Sequence, residues 1–353
     1  MAYFSTKKTA IKAIYSCVPK KVERTQNYEW ISPAERTLFE KTTGIVERRV
    51  ADENTTCSDL CFEAAKKLIK DSNSKDEIEL LLFVSQSPDY FLPSTAVILH
   101  QKLGLAKTCM AFDINLGCSG YVYGLSVASQ FIQSGAVKKA LLLAGDKSTI
   151  STNYQDKSTY PLFGDAGTAT LLSFDEQAED WNFLLFSDGS GKEAIIIEDG
   201  HSRNPYGKME DNYVEYEPGV IRTRKHLKLQ GIEVFNFALK EVAPSLKELY
   251  EKANKELAST DFFVFHQANK LINESVRKKL KVEADKTPLS IDEFGNTSSA
   301  SIPLTITTRL VDQLDSRKEV LFSGFGVGFS WANVLLKLEN PMLKHLEYAP
   351  TLE

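Results

Sequence analysis

Nowhere in the 353 residues is there an apolar run long enough to cross a bilayer, which takes roughly 18 to 20 residues. The opening MAYFSTKKTAIKAIYSCVP also lacks the unbroken apolar core and small-residue cleavage site of a secretory leader. A soluble, cytoplasmic protein without membrane contact is expected. Basic residues are not in excess: 42 Lys and Arg face 47 Asp and Glu, a net charge of -5, so no global attraction to nucleic acid or an anionic membrane is available. Cysteine is scarce. Five occur, at 17, 57, 61, 109 and 118, an odd set without a CxxC pair, which favours neither a disulfide framework nor a Cys-rich zinc site. Cys57 and Cys61 are four apart on an expected helix but have no further ligands near them in sequence, so no metal is expected. Hydrophobic residues at 42% and charged residues at 25% are ordinary globular values that argue against long disorder. The length suits about two domain-sized units.

What is present is an α/β alternation. DEIELLLFVSQ, MAFDINLG, KKALLLAGD and TATLLSF read as strands, separated by helical stretches such as SDLCFEAAKKLIK and GYVYGLSVASQFIQSG. A similar order recurs in DFFVFHQAN, PLSIDEFGNTSSAS, RKEVLFSGFGVG and FSWANVLLKLE. The offsets agree: Gln267 lies 181 residues after Gln86, Asn296 lies 178 after Cys118, and Gly324 lies 179 after Gly145. An ancient duplication is expected, with one half over 1–178 and the other over 179–353. The stretch 180–225 between them, with SDGSGKEAIIIEDGHSRNPYGKMEDNYVEYEPG, shows no regular period and reads as a long insertion of the kind that shapes binding sites or simply covers surface.

In open α/β sheets ligands gather at the carboxyl ends of strands, and Cys118, His266 and Asn296 are each expected to follow a strand. Cys118 precedes a helix, where unsatisfied amides and the helix dipole stabilise a thiolate or an oxyanion; alone it reads equally as a small buried residue. His266, in FFVFHQANKLI, is alone no more than a core histidine. Asn296 sits in a Gly-Asn turn, but at the position in the second half that Cys118 holds in the first. GFGVGFSW can present backbone N–H groups to an oxyanion. Its glycines alternate, and LFGDAGTATLL likewise fails the GxGxxG spacing, so neither is a dinucleotide fingerprint.

Taken together, TGIVERRVADENTTCSDL, FDINLGCSGYVYGL, LFGDAGTATLL, GIEVFNFAL, VFHQANKLI, EFGNTSSASIPL and GFGVGFSW resemble the β-ketoacyl-acyl carrier protein synthase III family of the thiolase superfamily, nearly end to end. The resemblance implies a thiolase-like fold, two duplicated halves in a five-layer α-β-α-β-α arrangement, and a homodimer. It implies a Cys118, His266, Asn296 triad and a decarboxylative Claisen condensation through an acyl-cysteine. Backbone N–H groups of Cys118 and Val327 would form the oxyanion hole, Val327 standing where the family commonly has Gly. No cofactor is implied; the substrates would be acyl-CoA or acyl-carrier thioester together with malonyl-carrier thioester. Asn296 separates the chain from relatives with His, Glu or Cys as third member, and GFGVGFSW from the GFGPG ending of plant-type polyketide synthases.

By the same resemblance Leu92, in DYFLPS, would limit the acyl pocket across the dimer interface, and Asn269 would contact substrate. Lys270, Arg277 and Lys278, on the helix after His266, would dock the acidic acyl carrier protein, although a solvated charged face looks the same in sequence. The Trp and Arg that hold the adenine of coenzyme A in the family are not matched: Trp30 lies too far upstream, and Lys157 cannot stack as a guanidinium does. A carrier-bound or specialised acyl donor is therefore expected. A non-condensing acyltransferase, passing the acyl group from Cys118 to a hydroxyl or amine, is the alternative.

Overall fold

The run LLLFV folds as the strand Leu80–Val84 with all five residues buried. Alternate side chains of a strand point to opposite faces, so an unbroken apolar strand needs cover on both. Leu80, Leu82 and Val84 join a central apolar cluster, whereas Leu81 and Phe83 join a second cluster on the other face. Ala140, Leu142 and Ala144 alternate in the same way with Leu141 and Leu143. In this computed structural model residues 2–205 and 212–349 are described; positions 206–211 of the expected insertion lie outside them.

Two sheets carry the fold. The first has the order Met342–Glu347, Thr9–Val18, Asp165–Phe174, Lys139–Lys147, Leu80–Val84, Met110–Ile114. The second has the order Ala2–Thr6, Trp181–Ser187, Ser330–Leu338, Lys318–Gly326, Phe262–Phe265. Within each, four neighbouring strands pair antiparallel, antiparallel, then parallel. That repeated pattern is the duplication in three dimensions. The helices Gly120–Gln133 and Ser301–Arg309 pack between the sheets. Cys57–Ser72 and Thr95–Leu103 cover the outer face of the first sheet, and Ala243–Ala253 and Lys270–Leu280 that of the second. The result is the five-layer α-β-α-β-α, thiolase-like arrangement. Small residues let the central helix sit close: a Cβ at Gly120 would lie 2.5 Å from Val84 Cγ1, and one at Gly124 2.7 Å from Leu142 Cδ1.

The halves exchange their outermost strands. The amino-terminal strand Ala2–Thr6 lies in the second sheet, and the carboxy-terminal strand Met342–Glu347 in the first. The boundary expected at 178 falls in the connection between Asp165–Phe174 and Trp181–Ser187.

Two local expectations are corrected. The segment containing Asn296 is not a strand: Ile291–Phe294 is one helical turn, and Asn296 itself makes only an isolated bridge with Phe163. Ile291 and Phe294, three apart, both point into the interior, which is helical spacing. Nor does the insertion begin at 180, since Trp181–Ser187 is a strand of the second sheet with Trp181, Phe183 and Leu185 in the central cluster. The excursion beyond it contains the short pairings of Ile195–Ile196 with Lys228–Leu229 and of Val214–Glu217 with Val220–Arg222. Among the described residues no helix is long and apolar enough to cross a membrane.

Candidate active site

Cys118 stands two residues before the helix Gly120–Gln133 and is 8% exposed. The backbone of the second half presses directly against it. A Cβ at Gly326 would lie 2.8 Å from the Cys118 sulfur, and one at Gly324 2.7 Å from the Cys118 carbonyl oxygen, so glycine at both positions is what permits the approach. The backbone of the next residue, Val327, then reaches the thiol, as does that of Cys118 itself. Two backbone N–H groups converging on one sulfur are suited to a thiolate and, later, to an oxyanion. In the resting site burial dominates and pushes the thiol up to about 11; the Val327 N–H opposes it, the negative charge of Asp146 adds to it, and the Ser298 hydroxyl lowers it.

His266 follows the strand Phe262–Phe265 and is 1% exposed. Its backbone N–H donates to the Ser323 carbonyl at 2.8 Å, its Nδ1 lies 2.7 Å from Ser301 Oγ, and its ring meets Phe325 edge-on at 5.7 Å. With Nδ1 engaged, Nε2 is the nitrogen left for chemistry. Burial pulls its pKa down to about 3, against a hydrogen bond with the Ser298 backbone that works in the opposite direction, so the imidazole is neutral at ordinary pH.

Asn296 is held by its backbone. Its N–H donates to the Leu162 carbonyl at 2.9 Å, and its own carbonyl accepts from the Gly164 N–H at 3.1 Å. Its Oδ1 accepts from the Ser298 N–H at 2.9 Å, an Asx turn. That fixes which end of the carboxamide is which: the oxygen is engaged, and the NH2 is the donor, reaching the Ala268 carbonyl at 3.5 Å and keeping a second hydrogen to give. Ser298 adopts φ +50, a left-handed conformation uncommon for serine. The buried Arg48 donates to the Phe163 carbonyl at 2.6 Å, steadying the residue that bridges Asn296 just before the strand Asp165–Phe174.

Cys118, His266, Asn296, Val327 and Asn269 line one pocket of about 870 Å³ of empty space, partly open to solvent. Asn269 has a structural task as well, since its Oδ1 caps the helix Lys270–Leu280 by accepting from the Ile272 N–H at 2.8 Å. Leu92, Lys270, Arg277 and Lys278 lie outside the pocket lining. Leu92 is 85% exposed within this chain. Arg277 is engaged by Glu274, at 3.1 and 2.7 Å, and by the Val282 carbonyl, whereas Lys270 and Lys278 are exposed.

The sequence did not single out Asp146, Ser298 or Gln86 as pocket residues, nor Ile195 and Ile197, which the excursion contributes to its wall. A carboxylate ending the apolar strand ALLLAGD was the available signal for Asp146. Lys157 pairs with Glu35 at 2.6 Å, and Trp30 packs on Tyr154 with centroids 5.2 Å apart. Among the described residues no group of three or more His, Cys, Asp or Glu side chains could hold a metal ion.

Known proteins share this arrangement. Residues 112–202 match the family described as 3-Oxoacyl-[acyl-carrier-protein (ACP)] synthase III, and residues 250–338 match its C-terminal counterpart. The chain is 33% identical over 334 residues to a β-ketoacyl-[acyl-carrier-protein] synthase III of Syntrophomonas wolfei, covering 94% of this chain and 97% of that one. It is 34% identical over 325 residues to that of Clostridium acetobutylicum, covering 91% and 96%. The crystal structure of a 3-oxoacyl-(acyl-carrier protein) synthase from Burkholderia xenovorans superposes with a TM-score of 0.92 at 35% identity, covering 98% of this chain and 99% of that one. With the fold, the pocket and both halves of the sequence in agreement, the chain belongs to the 3-oxoacyl-[acyl-carrier-protein] synthase III family.

Proposed function

We propose that this protein is a cytoplasmic β-ketoacyl-acyl carrier protein synthase III, condensing an acyl thioester with malonyl-acyl carrier protein. The observation that carries the reading is the meeting of Cys118, His266 and Asn296, drawn from both halves of the chain, in one pocket. The Cys118 thiolate attacks the acyl thioester carbonyl. A new C–S bond forms, the donor's C–S bond breaks, and the donor leaves as its thiol; the N–H groups of Cys118 and Val327 receive the transient oxyanion.

Malonyl thioester then loses carbon dioxide. The electron pair of the broken bond becomes an enolate, whose oxygen accepts hydrogen bonds from the Asn296 NH2 and from His266 in the tautomer protonated on Nε2. The enolate carbon attacks the acyl-cysteine, releases the Cys118 thiolate and leaves as the β-ketoacyl thioester. No cofactor enters any step. The synthases named above favour condensation over simple acyl transfer to a hydroxyl or amine.

Two surface features extend the reading. Lys270, next to the pocket residue Asn269, and Lys278 on the same helix are exposed and form the docking site for the acidic carrier, while Arg277 is paired with Glu274. Tyr90, Phe91 and Leu92 are 64%, 69% and 85% exposed, and the strand Met110–Ile114 is an edge of the first sheet. Exposed apolar side chains beside an open strand edge call for a partner surface, here a second copy of the chain in a homodimer.

Mass spectrometry after exposure to acyl thioester should find one acyl group on the peptide containing Cys118, and none in Cys118→Ala. His266→Ala and Asn296→Ala should still acylate but lose malonyl decarboxylation by about 100-fold or more; normal decarboxylation in both would remove their assigned role. Because the His266 pKa lies far below its ordinary value of 6.5, the neutral form persists as acidity rises. Decarboxylation by folded enzyme should therefore show no loss centred near pH 6.5, and such a loss would contradict a buried neutral imidazole.

Reversing charge in Lys270→Glu and Lys278→Glu should raise KM for malonyl-carrier substrate about threefold or more at low salt, with the difference shrinking as salt is added. An equal rise with malonyl-CoA would argue against carrier docking. Light scattering should give a mass near twice 39.5 kDa, reduced toward a single chain by Leu92→Asp; a wild-type monomer would overturn the dimer.

A further inference from the structure

The pocket has two chemically different walls. Where the excursion closes over it, the lining is apolar, with Ile195, Ile197, Leu227 and Val234. Where the strands Leu80–Val84 and Lys139–Lys147 of the first sheet end, it is polar: Gln86, Ser87, Asp146, Lys147, Ser148 and Ser151. An acyl chain of plain hydrocarbon does not call for six such residues.

Three of the six are already committed. The Asp146 carboxylate accepts from the Ser299 hydroxyl at 2.7 Å and from the Gln86 N–H at 2.7 Å. The Ser87 hydroxyl accepts from the Lys147 N–H at 2.8 Å, and the Lys147 ammonium donates to the Asp52 carbonyl at 2.7 Å. The Gln86 carboxamide and the Ser148 and Ser151 hydroxyls make no hydrogen bond to any described residue. Gln86 is also next to the nucleophile, since a Cβ at Gly117, the residue before Cys118, would lie 2.4 Å from Gln86 Oε1.

We propose that the acyl group accepted by Cys118 carries a hydroxyl within a few carbons of its thioester carbonyl, received by Gln86, Ser148 and Ser151. The proposal rests on the acyl-enzyme reading above and deepens it by naming the substrate class. Each of the three side chains both donates and accepts, as a hydroxyl does. A carboxylate-bearing acyl group fits worse: it would lie beside the buried carboxyl of Asp146, and the Lys147 ammonium is turned onto the Asp52 main-chain carbonyl. In the free pocket Gln86 is exposed and Ser148 and Ser151 are half-buried, so water reaches them; an acyl chain that displaces that water without offering a matching group leaves them unpaired, and the site discriminates against it.

The test compares 3-hydroxybutyryl and butyryl thioesters, which differ by one oxygen, each presented on coenzyme A and on acyl carrier protein. Single-turnover acylation of Cys118 is followed by intact mass. The hydroxyacyl donor should react about tenfold faster or more, and the ratio should fall toward one in Ser148→Ala/Ser151→Ala and in Gln86→Leu. Equal rates in the wild-type enzyme overturn the proposal and leave the acyl-enzyme intact. A preference undiminished in the variants overturns the assignment to these residues. Acylation by neither donor, with Cys118 still open to iodoacetamide, overturns the acyl-enzyme reading and the proposal together.

Discussion

The site depends on one buried carboxylate. Asp146, 2% exposed at the end of a first-sheet strand, accepts from the Gln86 N–H and the Ser85 hydroxyl in its own half, and from the N–H and hydroxyl of Ser299 in the other. Burial raises its pKa while these donors oppose the rise. A carboxylate out of water is tolerated only when its oxygens are satisfied, so the demand works in both directions. Asp146 requires the Asn296–Ser299 turn to be where it is, and that turn, with Ser298 in a left-handed conformation, is held in place by Asp146. Gln86, beside the nucleophile, is positioned by the same atoms.

Around that link the duplicated architecture brings two unlike strand-to-helix junctions face to face. Cys118 comes from the first junction and His266 from the second, while the Asn296 turn of the second half follows the helical turn Ile291–Phe294. Glycine at 324 and 326 lets the second half's backbone lie against Cys118, which is why donors from different halves can share one sulfur. The irregular excursion adds apolar lining, while Cys118, His266 and Asn296 all come from outside it.

Much of this was legible in the chain. Strands such as LLLFV and ALLLA announce themselves because burial on both faces permits no polar interruption, and constant offsets between Gln86 and Gln267, Cys118 and Asn296, and Gly145 and Gly324 placed the halves in register. That register put Cys118 and Asn296 at matching positions, while the grouping of both with His266 was what the resemblance to the synthase III family implied. What escaped had physical reasons. The turn before Asn296 is helical because Ile291 and Phe294 are three apart, a spacing too brief to read as a period in so short a segment. Trp181–Ser187 was absorbed into the irregular stretch because it directly precedes a run of Gly, Ser and Asp. Asp146 was passed over because burial of a single carboxylate is decided by partners 153 residues away, which no local pattern contains.

The exchange of outermost strands bears on how the chain comes to be folded. The first sheet is completed by Met342–Glu347, pairing in parallel with Thr9–Val18, so a segment made early waits for one made much later. During synthesis the edge of Thr9–Val18 stays open, and its unpaired backbone groups are a template for other chains. Neither half closes on its own schedule. The first sheet is completed only once Met342–Glu347 has been made, and the pocket, lined by residues of both halves, needs the second half as far as Val327.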